Sequence, residues 1–256
     1  MSVDLEPVTF ATPGPWTLSV SVPSGTLTVL THQQASTEVT VEGARDPNDV
    51  VVRADDRTRT VSIAQTRRRG FGWFGSGVSL EVVVPEGTAL RLKGEALDLQ
   101  ASGRVGPVAV STASGDVSVQ TVDGELRVNS ASGDVQADHV TGPVLVRSAS
   151  GDVQLGRADH DLTVQSASGD VFVDLLRAGR TSVQVVSGDV ELGVERGLRL
   201  HLELASLSGS TNPDLDLEGD PTTAASDDVA LDVRVRTVSG DITVRRARSE
   251  LPSIGS

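Results

Sequence analysis

The chain has 256 residues, a formal net charge of −13, no cysteine and only 2% aromatic residues. The charge opposes nonspecific binding to nucleic acid or anionic lipid, both polyanions, and the missing cysteines exclude disulfides and thiolate metal sites. So few aromatics give little volume for a thick globular core and favour a thin core of stacked aliphatic layers, in one elongated domain or two small ones.

Residues 1–90 are rich in predicted strands. WTLSVSV, GTLTVLT, TEVTVEG, DVVVRA, RTVSIAQ and VSLEVVV alternate apolar and polar residues, the period of a strand with one buried face. Pro13, Pro15, Pro23, Pro47 and Pro85 punctuate them, and GARDPND (43–49) and ADDRTR (54–59) read as turns. This part is expected to be a cap or diverged coils of the solenoid that follows, with a separate small β-domain as the alternative. The first residues show neither the basic nor the apolar region of a secretory signal. No stretch approaches the ~18 apolar residues of a membrane helix. The expectation is a cytoplasmic protein without a transmembrane segment, envelope association being the alternative.

One loop stands apart. Arg67, Arg68, Arg69, Phe71, Trp73 and Phe74 lie among glycines, and the loop carries three of the chain's aromatics. Two readings compete: a folded-back plug on the solenoid end, or an exposed contact for a partner, a membrane interface or another subunit. These six residues are the candidate partner-binding set.

Residues 91–246 carry an internal repeat. TASGDV occupies 112–117, and SASGDV recurs at 130–135, 148–153 and 166–171. Variants follow as VVSGDV (185–190), SLSGST (206–211) and TVSGDI (237–242). The period is 18 with a half-step of nine, marked by Gly124 and Gly142 between the repeat glycines. Apolar residues alternate in each half, as in Val117/Val119 and Leu126/Val128. Two strands and two tight turns fill such a coil, and stacked coils pair in parallel ~4.8 Å apart. The predicted fold is therefore an all-β, parallel β-helix-like solenoid with ~18-residue two-strand coils. Stepping back by nine, QASGRVGP reads as a degenerate coil with a three-residue insertion. Residues 247–256 read as a frayed tail.

The turn itself is a ladder of Ser114-Gly115-Asp116, Ser132-Gly133-Asp134, Ser150-Gly151-Asp152, Ser168-Gly169-Asp170, Ser187-Gly188-Asp189 and Ser239-Gly240-Asp241. Glycine permits the positive φ of a sharp corner, and Ser and Asp can bond backbone groups freed there. That structural role is the primary reading. A column of stacked carboxylates also admits a second one, cation binding as in a β-roll, although the second half-repeat carries no regular acid.

No catalytic, cofactor or metal constellation stands out. His32, His139, His160 and His201 accompany no GxSxG, HExxH or P-loop pattern. In the insertion TNPDLDLEGDPTTAASDDVA (211–230), Asp214, Asp216 and Glu218 are spaced like the start of an EF-hand loop. The twelfth position is Ala225 instead of Glu, so a solvated acidic loop is expected.

The SASGDV repeats, the lead-in VSLEVVVPEGTALRLKG (78–94) and the closing VALDVRVRTVSGDITV (229–244) resemble a bacterial family of unknown function whose members are named putative adhesins and described as β-strand-repeat proteins. The resemblance spans about 78–246 closely and 16–77 loosely. It implies envelope association, a link to envelope stress for some relatives, and no catalytic residues. The expected function is a non-enzymatic scaffold for protein binding or adhesion, needing no cofactor. Its partner would be a protein or a second copy, with peripheral envelope contact and no nucleic acid. A self-assembling structural protein is the first alternative and a cation-binding module the second.

Overall fold

The computed structural model describes residues 3–44, 49–65, 77–214 and 230–247, whose regular structure is all strand. Among these residues no helix is long and apolar enough to cross a membrane. The strands before the repeats are β1 (Val3–Ala11), β2 (Thr17–Ser21), β3 (Ser24–His32), β4 (Ser36–Ala44), β5 (Val50–Asp55), β6 (Thr60–Gln65), β7 (Val78–Pro85), β8 (Ala89–Lys93) and β9 (Ala96–Val105). The repeats supply β10 (Val108–Ser111), β11 (Val117–Val122), β12 (Leu126–Asn129), β13 (Val135–Val140), β14 (Val144–Ser150), β15 (Val153–Ala158), β16 (Leu162–Ser168) and β17 (Val171–Leu176). The last coils are β18 (Arg180–Ser187), β19 (Val190–Val194), β20 (Arg199–Ser208), β21 (Thr211–Asp214), β22 (Ala230–Ser239) and β23 (Ile242–Arg246).

Two sheets enclose one core. The first has twelve strands and the second eleven. In the middle of the rod odd-numbered strands lie in the first sheet, even-numbered ones in the second, and all pairs are parallel. Val117 pairs with Val135, Val135 with Val153 and Val153 with Val171. Across the core Leu126 pairs with Val144, and Val144 with Leu162. Alternation sends every second side chain inward, so Val119, Val128, Val146, Leu155 and Val164 are buried. Each such Val or Leu contributes roughly 1.5–3 kcal/mol, which is how a core so poor in aromatics holds. Trp16 is the buried aromatic near the N-terminal end, its Nε1 donating to the Pro13 carbonyl at 3.2 Å.

The ends are ordered differently from the sequence. At the N-terminal end β2/β3 lies between β6/β7 and β8/β9. Antiparallel strands then extend this end: β4 on β7, β1 on β4 and β5 on β6. The segment before the repeats thus joins the same two sheets. At the other end β22/β23 lies between β18/β19 and β20/β21. The last described coil is therefore interior, and β20/β21 forms the edge.

The coil expected to carry a three-residue insertion in QASGRVGP keeps the 18-residue step, Leu99 pairing with Val117, and is bulged instead. Ser102 and Gly103 do not form a corner but lie inside β9, where the pairing with β11 is bulged. Gly103 has φ +90° and packs so closely on Thr31 that an added Cβ would sit 1.9 Å from its Oγ1. The residues stacked on the Ser114-Gly115-Asp116 corner are Ala96-Leu97-Asp98, at the start of β9: Ala96 bridges to Ser114, and Asp98 accepts the N–H of Asp116 at 3.0 Å.

Candidate functional site

The repeated corner is built by stacking. Gly151 has φ +120°, and a Cβ there would lie 2.3 Å from the Gly133 carbonyl oxygen. Two constraints thus demand glycine at once, a left-handed backbone and contact with the coil beneath. The order of contacts follows space: Gly240 rests on Gly188, and Gly209 on Gly240.

The aspartates form a continuous hydrogen-bonded column. Oδ1 of Asp134 accepts the N–H of Asp152 at 2.8 Å, Asp152 accepts that of Asp170 at 2.8 Å, and Asp170 that of Asp189 at 2.8 Å. Asp116 serves Asp134 in the same way, Asp189 serves Asp241, and Asp241 serves Ser210 at 2.7 Å. That last backbone donor holds the Asp241 carboxyl below its ordinary range. Carboxylates ~5 Å apart in water repel by about 1 kcal/mol. Each backbone N–H donated to a carboxylate oxygen opposes that repulsion.

Two serines of each of these corners contribute, and the ladder serines Ser114 and Ser132 donate to the Glu95 and Ala113 carbonyls at 3.4 and 3.5 Å. Ser148 donates to the carbonyl of Ser150 at 2.8 Å, Ser130 to that of Ser132 at 2.6 Å, and Ser166 to that of Ser168 at 2.9 Å. In these hexamers the first hydroxyl closes the corner, and the serine before glycine supplies the accepting carbonyl. Val185 fills that first place in VVSGDV and has no hydroxyl to give.

Beside the corner, on the outer face of the second sheet, lies an open groove of about 600 Å³. Arg147, Gln165, Gln184 and Arg236 line it on one side, and Ala167, Val186 and Val238 on the other. The aliphatic column grows along the rod. Val186 is 53% exposed and Val238 47%, and Leu207, at the matching place in β20, is 83% exposed. No motif in the sequence marks this ridge. Its signal was the drift of one hexamer position from Ala to Val and Leu.

The histidines are not brought together. His139 Nε2 lies 2.9 Å from Asp159 Oδ2, and Arg157 Nε donates to Asp159 Oδ1 at 2.7 Å. Burial pushes the Asp159 carboxyl up, but the bonds from Arg157 and His139 outweigh it and hold the group below its ordinary value. Arg177 joins the network 3.9 Å from Asp159 Oδ1 and also pairs with Glu195 at 3.1 Å. His32 bonds the Ser36 carbonyl at the N-terminal end, and His160 and His201 are exposed. Among the described residues no three or more His, Asp or Glu side chains stand together as a metal site. Arg67, Arg68, Arg69, Phe71, Trp73 and Phe74 lie outside the described residues, as do positions 215–229 of the acidic insertion.

No curated protein matches the chain. A Bacteroides fragilis crystal structure of a putative adhesin is 14% identical, with a TM-score of 0.48, over 95% of this chain and 97% of that one. A putative lipid binding protein from Parabacteroides distasonis is 12% identical, with a TM-score of 0.47, over 95% and 96% of the two chains. A putative adhesin from Parabacteroides merdae is 11% identical, with a TM-score of 0.29, over 96% of each. The sequence signature of the Toastrack DUF4097 family runs through residues 17–245, nearly the whole chain, and the protein belongs to that family.

Proposed function

We propose that the chain is a non-enzymatic scaffold, a β-solenoid of about 18-residue two-strand coils turned by Ser-Gly-Asp corners, that presents its outer side-chain ladders for binding or adhesion. A cytoplasmic location with peripheral contact to the envelope belongs to the same proposal. The groove on the second sheet carries this reading, because exposed aliphatic residues there adjoin arginine and glutamine. Exposed apolar area beside polar groups marks interaction surfaces. Beads coated with the purified chain are expected to adhere to isolated cell envelopes, and Val186→Asp with Val238→Asp to cut adhesion at least fivefold. Equal adhesion by the double variant, at unchanged melting temperature, overturns the assignment to the groove.

Self-assembly is favoured by a separate observation. β20 and β21 end the two sheets at one end of the rod, with Leu200, Leu202 and Leu204 only partly buried. Such edges invite pairing. Light scattering that finds a concentration-independent monomer removes this alternative.

A further inference from the structure

The net charge of −13 hides an uneven distribution. Two outward columns run along the second sheet from β8 to β20. One reads Arg91, Ala109, Arg127, Leu145, Thr163, Ser182, Arg234 and Glu203, by successive pairing. The other, Lys93 to Ala205, adds the cations Lys93, Arg147 and Arg236. Glu203 is the one carboxylate on either column, and all six cations are exposed. The outward positions of the first sheet are mixed and hold more acid: Glu81, Asp138, Asp174, Glu191 and Asp214 stand there with Arg104, Arg157 and Arg245.

The cations of the second sheet differ in availability. Arg127 is held by Glu125, and Arg234 and Arg236 by Glu203. Arg91, Lys93 and Arg147 have no ion-pair partner among the described residues. Acidic corners frame the face on both sides: the Asp134 and Asp152 column beyond the aliphatic ridge, Glu125 and Asp161 at the opposite border. With seven steps of ~4.8 Å, the face is roughly 34 Å long.

We infer that this basic face, with the Val186–Val238–Leu207 ridge beside it, docks the protein peripherally on an anionic lipid bilayer. The inference rests on the reading of the chain as a presenting scaffold and names the chemistry of what it meets. A broad sheet face suits a plane. Cations spread along it gain from a negative surface potential, and the ridge gives the hydrocarbon boundary something to take up. A phosphodiester polymer draws on the cations but not on exposed valine and leucine. The acidic face of a second copy is a weaker match, since Glu191 and Asp174 there already hold Arg245.

The test is co-sedimentation of the full chain with vesicles of phosphatidylcholine, with and without phosphatidylglycerol at about a third of the lipid, at low and high salt. Binding is expected to the mixed vesicles only, and to weaken strongly with salt as the Debye length shrinks. Arg91→Gln, Lys93→Gln and Arg147→Gln together are expected to cut it at least tenfold, and Val238→Ser with Leu207→Ser about threefold. Arg104→Gln with Arg246→Gln, on the first sheet, removes two positive charges away from the face and leaves binding unchanged. Melting curves establish that each variant folds. No binding to the mixed vesicles overturns the inference while leaving envelope adhesion through protein contacts standing. So does binding that the triple variant retains, or a dimer that the triple variant dissolves without vesicle binding.

Discussion

From β8 to β19 each coil stacks on the one made just before it, whereas at both ends a coil that is outermost in the sequence takes an inner place in space. The middle is a simple stack. Each coil has two neighbours by default, and stability accumulates over neighbours. A terminal coil stacked in sequence order would have one neighbour. Here β22/β23 gains a second neighbour, and the exposed position passes to β20/β21, a segment joined to chain on both sides. The N-terminal end adds antiparallel strands outside its tucked coil, and the C-terminal end has no described counterpart to them. The difference shows that the rod's ends are protected by chain order as much as by capping residues.

The largest effect should come from the middle, where the stack is tightest. Gly151→Ala meets both a left-handed backbone and the Gly133 carbonyl, and is expected to cost about 3–5 kcal/mol in denaturant unfolding. A loss below about 1 kcal/mol would mean that the corners can open without disturbing the stack. The contrast between the two last coils comes next. Leu231 is 0% exposed in β22, while Leu200 in β20 is only partly buried. Leu231→Ala should cost about 3 kcal/mol and Leu200→Ala about 1 kcal/mol. Amides of β22 should exchange more slowly than those of β20. Equal losses and equal exchange would break the claim that the tucked coil is interior in energy as well as in position. The smallest effect concerns the column. Asp152→Ala removes the acceptor for the Asp170 N–H and should cost about 1–2 kcal/mol. Asp152→Asn keeps an acceptor and relieves like-charge repulsion, so its cost should be under half of that. An asparagine as damaging as alanine would show that the negative charge, not the hydrogen bond, is what the corner uses.

The same contrast explains what the sequence revealed. The hexamers fix the register of the middle because Gly and Asp at an 18-residue spacing have one geometric solution, contact with their own copies on the next coil. The strands of the ends carry the same alternation, and V-x-V pairs with any V-x-V. Which strand neighbours which then depends on connections such as β7 to β8, which must pass β3 and β2, and alternation does not encode that path. Ala96-Leu97-Asp98 escaped notice because this stretch lacks both Ser and Gly. Of the candidate site, the Asp column was legible as a column but not as a chain of acceptors, since donor direction depends on a corner conformation the residues alone do not state. The basic face was invisible in the net charge. Arg91 and Arg147 belong to one surface only once each position is assigned to a side of a sheet.

The place of β22/β23 also bears on how the molecule is made. Domains fold as the chain emerges, N-terminal parts first. The strands up to β19 can stack as they appear, but β20 and β21 emerge before the coil that separates them from β18 and β19. During that interval the growing rod ends in an open pair of edges, and the early-arriving coil must wait apart or be displaced. Residues 230–246 thus act as a closing wedge between β18/β19 and β20/β21.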